Sequence, residues 1–147
     1  MKTESLEGYR FLDHVTDAFV ESWGPSFERA LVQAALGFFQ TLVDVENVQS
    51  TIKEEIEASG HDRLELVYNW LEEFLLRFEI NRMVFGEFEV QMVEERKGSF
   101  HLRALAWGEP YEPSRHGRKV EVKGVTYHQM EIEETSGKVV VRYLLDL

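Results

Sequence analysis

Two stretches of this 147-residue chain concentrate side chains able to do chemistry, and neither is built around a familiar nucleophile. Near the start, Asp13-His14-Val15-Thr16-Asp17 sets two carboxylates, an imidazole and a hydroxyl within five residues. That is more polar chemistry than a turn requires, although an Asx-type turn, with Asp17 satisfying backbone donors, is also what such a cluster makes. At the other end the chain closes Tyr143-Leu144-Leu145-Asp146-Leu147, an aspartate beside the terminal carboxylate. Two carboxylates one residue apart repel each other unless a cation or basic group lies between them, and oxygen-only ligation is the chemistry of calcium or magnesium. The pair reads as half of a hard-cation site that needs a third oxygen from elsewhere in the fold. A solvated terminus is the competing reading.

A third stretch, Lys119 to Ile132, alternates with period two and carries Gly124 in its middle. An interior glycine marks a bulge or a close approach to the backbone, so Lys123 and Tyr127 flank an expected kink, either as functional groups or as solvated residues on an open sheet face. Arg115, His116, Arg118, Lys119 and Lys123 fall within nine residues that hold a single acid, Glu121, and read as a solvated basic loop. The whole chain is acidic, with net charge -11, which disfavours a direct grip on RNA or DNA. The chain has no cysteine, so a disulfide framework and a thiolate metal site are excluded and any metal is held by oxygen or imidazole. No Walker loop, G-x-S-x-G elbow or H-E-x-x-H motif occurs, and the histidines never recur at ligand spacing. The N-terminus lacks an apolar signal core and every apolar run is broken by charge, so a cytoplasmic protein away from membranes is expected.

The elements that must position these groups follow from periodicity. Tyr9 and Phe11 start a first strand, and Ala18 to Trp23 form a second. Ser26 caps a helix whose apolar residues from Phe27 to Leu42 leave it almost no polar face. Thr51 to Glu57 reads as a charged edge strand. Asp62 and Glu65 resemble a capping box for a second helix with its stripe at Leu64, Val67, Leu71, Phe74, Leu75 and Phe78. Four more strands are expected at Met83 to Glu94, Ser99 to Trp107, Arg118 to Glu133 and Lys138 to Leu145, with short links that make neighbours antiparallel. The expectation is one domain spanning 1–147, an α+β two-layer fold of two helices packed on one face of a mostly antiparallel β-sheet.

Five motifs in chain order resemble the archease family: Phe11-Leu12-Asp13-His14-Val15-Thr16-Asp17, Asn69-Trp70-Leu71-Glu72-Glu73-Phe74-Leu75, Phe85-Gly86-Glu87-Phe88-Glu89-Val90, Val122-Lys123-Gly124-Val125-Thr126-Tyr127-His128 and the closing Asp146-Leu147. The strand motif and the carboxyl end together are the specific part. The resemblance implies a small acidic accessory protein, itself no enzyme, that activates the GTP-dependent RNA ligase of tRNA splicing by assisting its guanylylation and permitting repeated turnover. It implies a divalent metal, calcium in the family's crystals, held at Asp17, Asp146 and Leu147, which supplies the missing third oxygen. It also implies a partner- or nucleotide-facing role for Lys123, with His14 and Tyr127 in the same motifs. The chain departs from the family at Val15-Thr16, at Gly124 where alanine is usual and at Gly117-Arg118, and no departure removes an implied ligand. Two other classes remain open on the residues: a metal-dependent nucleotide hydrolase with Lys123 stabilising negative charge, and a general interaction or chaperone module with a structural metal.

Overall fold

The chemistry at residues 13–17 and 146 depends on which strands end beside one another, and a computed structural model describing residues 5–147 settles the pairing. Met1 to Glu4, part of the N-terminal stretch read above as lacking a signal core, lie outside the described residues. The elements run β1 (Gly8–Leu12), β2 (Ala18–Gly24), α1 (Phe27–Leu42), a 3-10 turn at Val45–Asn47, β3 (Ile52–Gly60), α2 (Arg63–Asn81), β4 (Met83–Arg96), β5 (Ser99–Pro110), a single helical turn α3 (Pro113–His116), β6 (Gly124–Thr135) and β7 (Lys138–Asp146). All pairings are antiparallel. The α+β class is as read from the sequence, but the strands form two sheets where one was expected: β1-β2-β7-β6 and β3-β5-β4. Local periodicity could not reveal this, because β2 finds β7 and β3 finds β5 across long stretches of chain.

Both helix starts are capped as their sequences require. The Ser26 hydroxyl accepts the Arg29 amide at 3.2 Å, and the Asp62 carboxylate accepts the Glu65 amide at 2.8 Å. Glu65 reaches back to the amide of His61, one residue before the cap. The missing polar face of α1 has its explanation in the two sheets. Its Ala34 carbonyl accepts the Tyr143 hydroxyl of β7 at 2.6 Å, while Phe39 meets Phe85 and Phe88 of β4 and Phe74 of α2 edge-on or stacked. A helix with a sheet on either side is apolar all round. On α2 the buried set is Leu66, Val67, Trp70, Leu71, Phe74 and Leu75, so Leu64, expected in the stripe, turns outward in the first helical turn. The Trp70 indole donates to the Leu31 carbonyl at 3.0 Å and ties the helices together.

Where β5 crosses β4, Gly108 faces Phe85 so closely that an added Cβ would stand 1.9 Å from the Val84 carbonyl oxygen. Gly124 is different: nothing lies within 4 Å of its absent Cβ, and it begins β6 instead of breaking it. The irregularity falls further on, between Thr126 and Glu131, where the register slips and Gln129 takes φ 58. The expected strand from Arg118 therefore starts six residues late. Its first part is held outside the ladder by two main-chain bonds, Lys119 N–H to the Leu42 carbonyl and Lys123 N–H to the Asp146 carbonyl. Among the described residues no helix is long and apolar enough to cross a membrane.

Candidate functional site

The last pair of the β2–β7 ladder is Ala18 with Leu145, so Asp17, one step further out, comes beside Asp146. Side chains alternate along a strand, and Asp17 lies two residues from Phe19 while Asp146 lies two from its partner Leu144. Phe19 and Leu144 share the face turned away from α1, since Tyr143 and Val20 point toward that helix, and the Asp17 side chain just before β2 is 19% exposed. On the far side of β7, Gly124 pairs with Asp146, and the Lys123 amide donates to the Asp146 carbonyl at 2.7 Å. Three strand ends thus converge here: Asp17 immediately precedes β2, Asp146 ends β7, and the backbone of Lys123 is bonded to Asp146. Residues far apart in the chain become neighbours because β7 is flanked by both β2 and β6.

His14 belongs to this end as well. Its ring meets Phe19 edge-on at 6.1 Å, and its Nδ1 lies 3.6 Å from a carboxylate oxygen of Asp17, too far for a hydrogen bond. That Nδ1 is buried and without a hydrogen-bond partner among the described residues. No described lysine or arginine pairs with Asp17 or Asp146. With the His14 imidazole near Asp17 and no lysine or arginine on either carboxylate, the donors that a cation would meet here are hard oxygens. The carboxylates of Asp17 and Asp146 are of the chemical type that a calcium or magnesium ion takes. They make an open set: among the described residues no three His, Asp or Glu side chains stand close enough to hold a metal by themselves.

Tyr127 does not join the strand-end group. It stacks on Tyr68 of α2 with ring centres 4.4 Å apart, on the helix side of β6. Burial of its hydroxyl against α2, with Glu65, Tyr68 and Asp62 nearby, raises its pKa. The Lys123 side chain is exposed and, among the described residues, no acid pairs with it.

The basic segment is only partly the solvated loop expected from its composition. His116 is fully buried: its Nδ1 accepts the Glu112 amide at 2.9 Å, so the ring proton sits on Nε2 and is donated to Glu109 at 2.7 Å. Arg115 donates to the other Glu109 oxygen at 2.8 Å, and Gln49 N–H completes the carboxylate's partners. Burial alone would raise the Glu109 pKa, but these donors hold it below the usual carboxylate range. Lys119 pairs with Asp44 at 3.3 Å. The segment is therefore latched to the 3-10 turn by charges the linear sequence left unpaired. A second buried carboxylate, Glu21, lies between Arg10 and Arg142 on the outer face of β1-β2-β7-β6, and Arg142 also holds Glu131 and Glu133. Neither cluster has a sequence signature, since Glu109 with His116 and Glu21 with Arg142 meet only through turns and register.

The sequence model of the Archease protein family matches residues 9–147. The chain belongs to the archease family. Protein archease of Methanopyrus kandleri is 41% identical over 136 residues, covering 92% of this chain and 96% of the relative. The solution structure of protein 1598 of Methanobacterium thermoautotrophicum superposes with a TM-score of 0.80 at 31% identity, over 95% of this chain and 99% of that one. The crystal structure of a Thermotoga maritima archease, described as a possible chaperone, shares the fold at a TM-score of 0.58 and 14% identity, over 94% and 96% of the two chains.

Proposed function

We propose that this member of the archease family is a non-catalytic cytoplasmic accessory protein that activates the GTP-dependent RNA ligase of tRNA splicing, assisting guanylylation and sustaining multiple turnover. The observation that supports this reading is that Asp17 and Asp146 stand just past the end of the β2–β7 ladder, neither with a lysine or arginine partner among the described residues, and that the Lys123 amide is fastened to Asp146. A divalent ion, calcium by the oxygen-only donor set, supplies positive charge at that end when bound. Asp17, Asp146 and Leu147 hold it, and the Lys123–Asp146 main-chain bond fixes the segment that carries the lysine. His14 packs edge-on against Phe19, with its Nδ1 3.6 Å from the Asp17 carboxylate.

An accessory protein changes turnover only by binding states of its partner with different affinity. The strand end is small and charged enough to enter a nucleotide-site mouth, where the exposed Lys123 ammonium meets the phosphate of a guanylylated or GTP-bound state. Tyr127, stacked on Tyr68, stiffens the same strand four residues on. The direct test is multiple-turnover RNA ligation by the cognate ligase with GTP and a divalent ion, adding nothing, the wild-type chain or Asp146→Ala. Sustained turnover with wild type and its loss in the variant is the expected result. Equal activity of the two places the function away from the strand end, and no stimulation by wild type refutes the ligase partner.

A further inference from the structure

The two sheets treat their outward acids in opposite ways. On β1-β2-β7-β6 every named outward acid in the central rows is taken by a guanidinium, Glu21 by Arg10 and Arg142, Glu131 and Glu133 by Arg142. On β3-β5-β4 the cross-strand rows read Lys53–Trp107–Glu87 and Glu55–Leu105–Glu89. Alternation turns these residues away from the helices, because Ile56, Ala104, Ala106 and Phe88 between them are the buried set. Trp107 and Leu105 form a half-buried apolar centre flanked by exposed Glu55, Glu87 and Glu89 and by Lys53, and the next row of the same face sets exposed Glu57 beside Arg103. Among the described residues none of Glu55, Glu87 and Glu89 has a lysine or arginine partner; Glu87 accepts only the Ser50 hydroxyl at 2.8 Å.

We infer that this face docks the lysine- and arginine-bearing surface with which an RNA-handling protein partner binds its polyanion, a reading that rests on the function proposed above. An enzyme that grips RNA presents basic side chains, and an apolar centre with unpaired carboxylates at three of its four cross-strand flanks is complementary to them. Trp107 offers its ring face to a guanidinium or ammonium. The same charge argues against the other occupants. A second copy of this face meets like charge, and nucleic acid is repelled. A chelated cation does not fit either, since among the described residues no three of these carboxylates stand close enough to hold one.

The experiment measures binding of the cognate RNA ligase to the folded full chain at low and high salt, by calorimetry, for wild type, the charge-reversed Glu55→Lys/Glu87→Lys/Glu89→Lys variant and Asp146→Asn. Solvent-exposed positions on a finished sheet tolerate lysine, and far-ultraviolet circular dichroism checks the fold. Wild type is expected to bind with a steep salt dependence, and the triple variant to lose about tenfold or more in affinity and most of that dependence. RNA should compete with wild type. Binding of the triple variant within about twofold of wild type overturns the docking face while leaving the accessory function standing. Absence of wild-type binding refutes the accessory function and the face together. A change in oligomeric state of the triple variant without a change in ligase affinity assigns the face to self-association and also overturns the inference.

Discussion

Replacing Asp146 by asparagine should have opposite effects on stability with and without calcium. The shape is retained, so the change is one of charge. Asp17 and Asp146 each stand one residue past the Ala18–Leu145 pair, and residues continuing such a ladder have Cα atoms about 5 Å apart. At a carboxylate separation of about 5 Å the repulsion is about 0.8 kcal/mol in bulk water and about 3 at a surface dielectric near 20, and with Asp146 exposed the lower end applies, about 1 kcal/mol. In chelator, Asp146→Asn removes this repulsion and raises the melting temperature by about 2–4 °C for a chain of this size. In calcium at about a hundred times its dissociation constant the wild type gains about 2.7 kcal/mol, and a variant missing one carboxylate loses most of that gain. The order of melting temperatures therefore inverts between chelator and calcium, read by differential scanning calorimetry. Wild type that does not shift with calcium, or a variant ranked the same way in both conditions, refutes the carboxylate pair as a cation site.

Glu109→Gln puts an amide NH2 among donors that need an acceptor, and should cost about 2 kcal/mol in urea unfolding, since Arg115 keeps part of the network in solvent. Glu109 and Glu21 both have carboxyl pKa values held below the ordinary 4.5, against burial that would raise them. A depressed folded value stabilises above the unfolded pKa and loses that contribution as pH falls through the folded value, so the urea midpoint should drop below about pH 4.5, and less steeply in Glu109→Gln. Gly108→Ala drives a Cβ into the Val84 carbonyl and should abolish the β4–β5 register, seen as loss of dispersed amide signals in a heteronuclear spectrum.

Much of the fold was legible locally. Ser26 and Asp62 are caps because a side-chain oxygen three residues ahead of a free amide is a local device. The strands from Met83 onward announce themselves by period two. Leu64 was misread because a stripe drawn by spacing alone does not know where the partner sheet ends, and the strand from Arg118 was overextended because alternation continues whether or not a neighbour is there to pair.

The candidate site was legible as composition but not as a place. Asp13 to Asp17 and Asp146-Leu147 stood out as polar groups beyond what a turn or terminus needs, and the archease motifs named Lys123 and Asp17 beside them. That Asp17 and Asp146 each stand one residue past the last β2–β7 pair, that Lys123 is bonded to the Asp146 carbonyl, and that Tyr127 leaves this group for Tyr68 came only from the ladder β1-β2-β7-β6 and the register slip after Thr126. The burial of His116 on Glu109 and the division of seven strands into two sheets have the same origin. Periodicity, capping and composition are properties of neighbours in the chain, so the sequence by itself determined the elements, the α+β class and the residue types available for chemistry. Strand partnership is chosen by which apolar faces close around α1, an energy summed over residues distant in sequence, and the tertiary structure alone decided which of those residues meet.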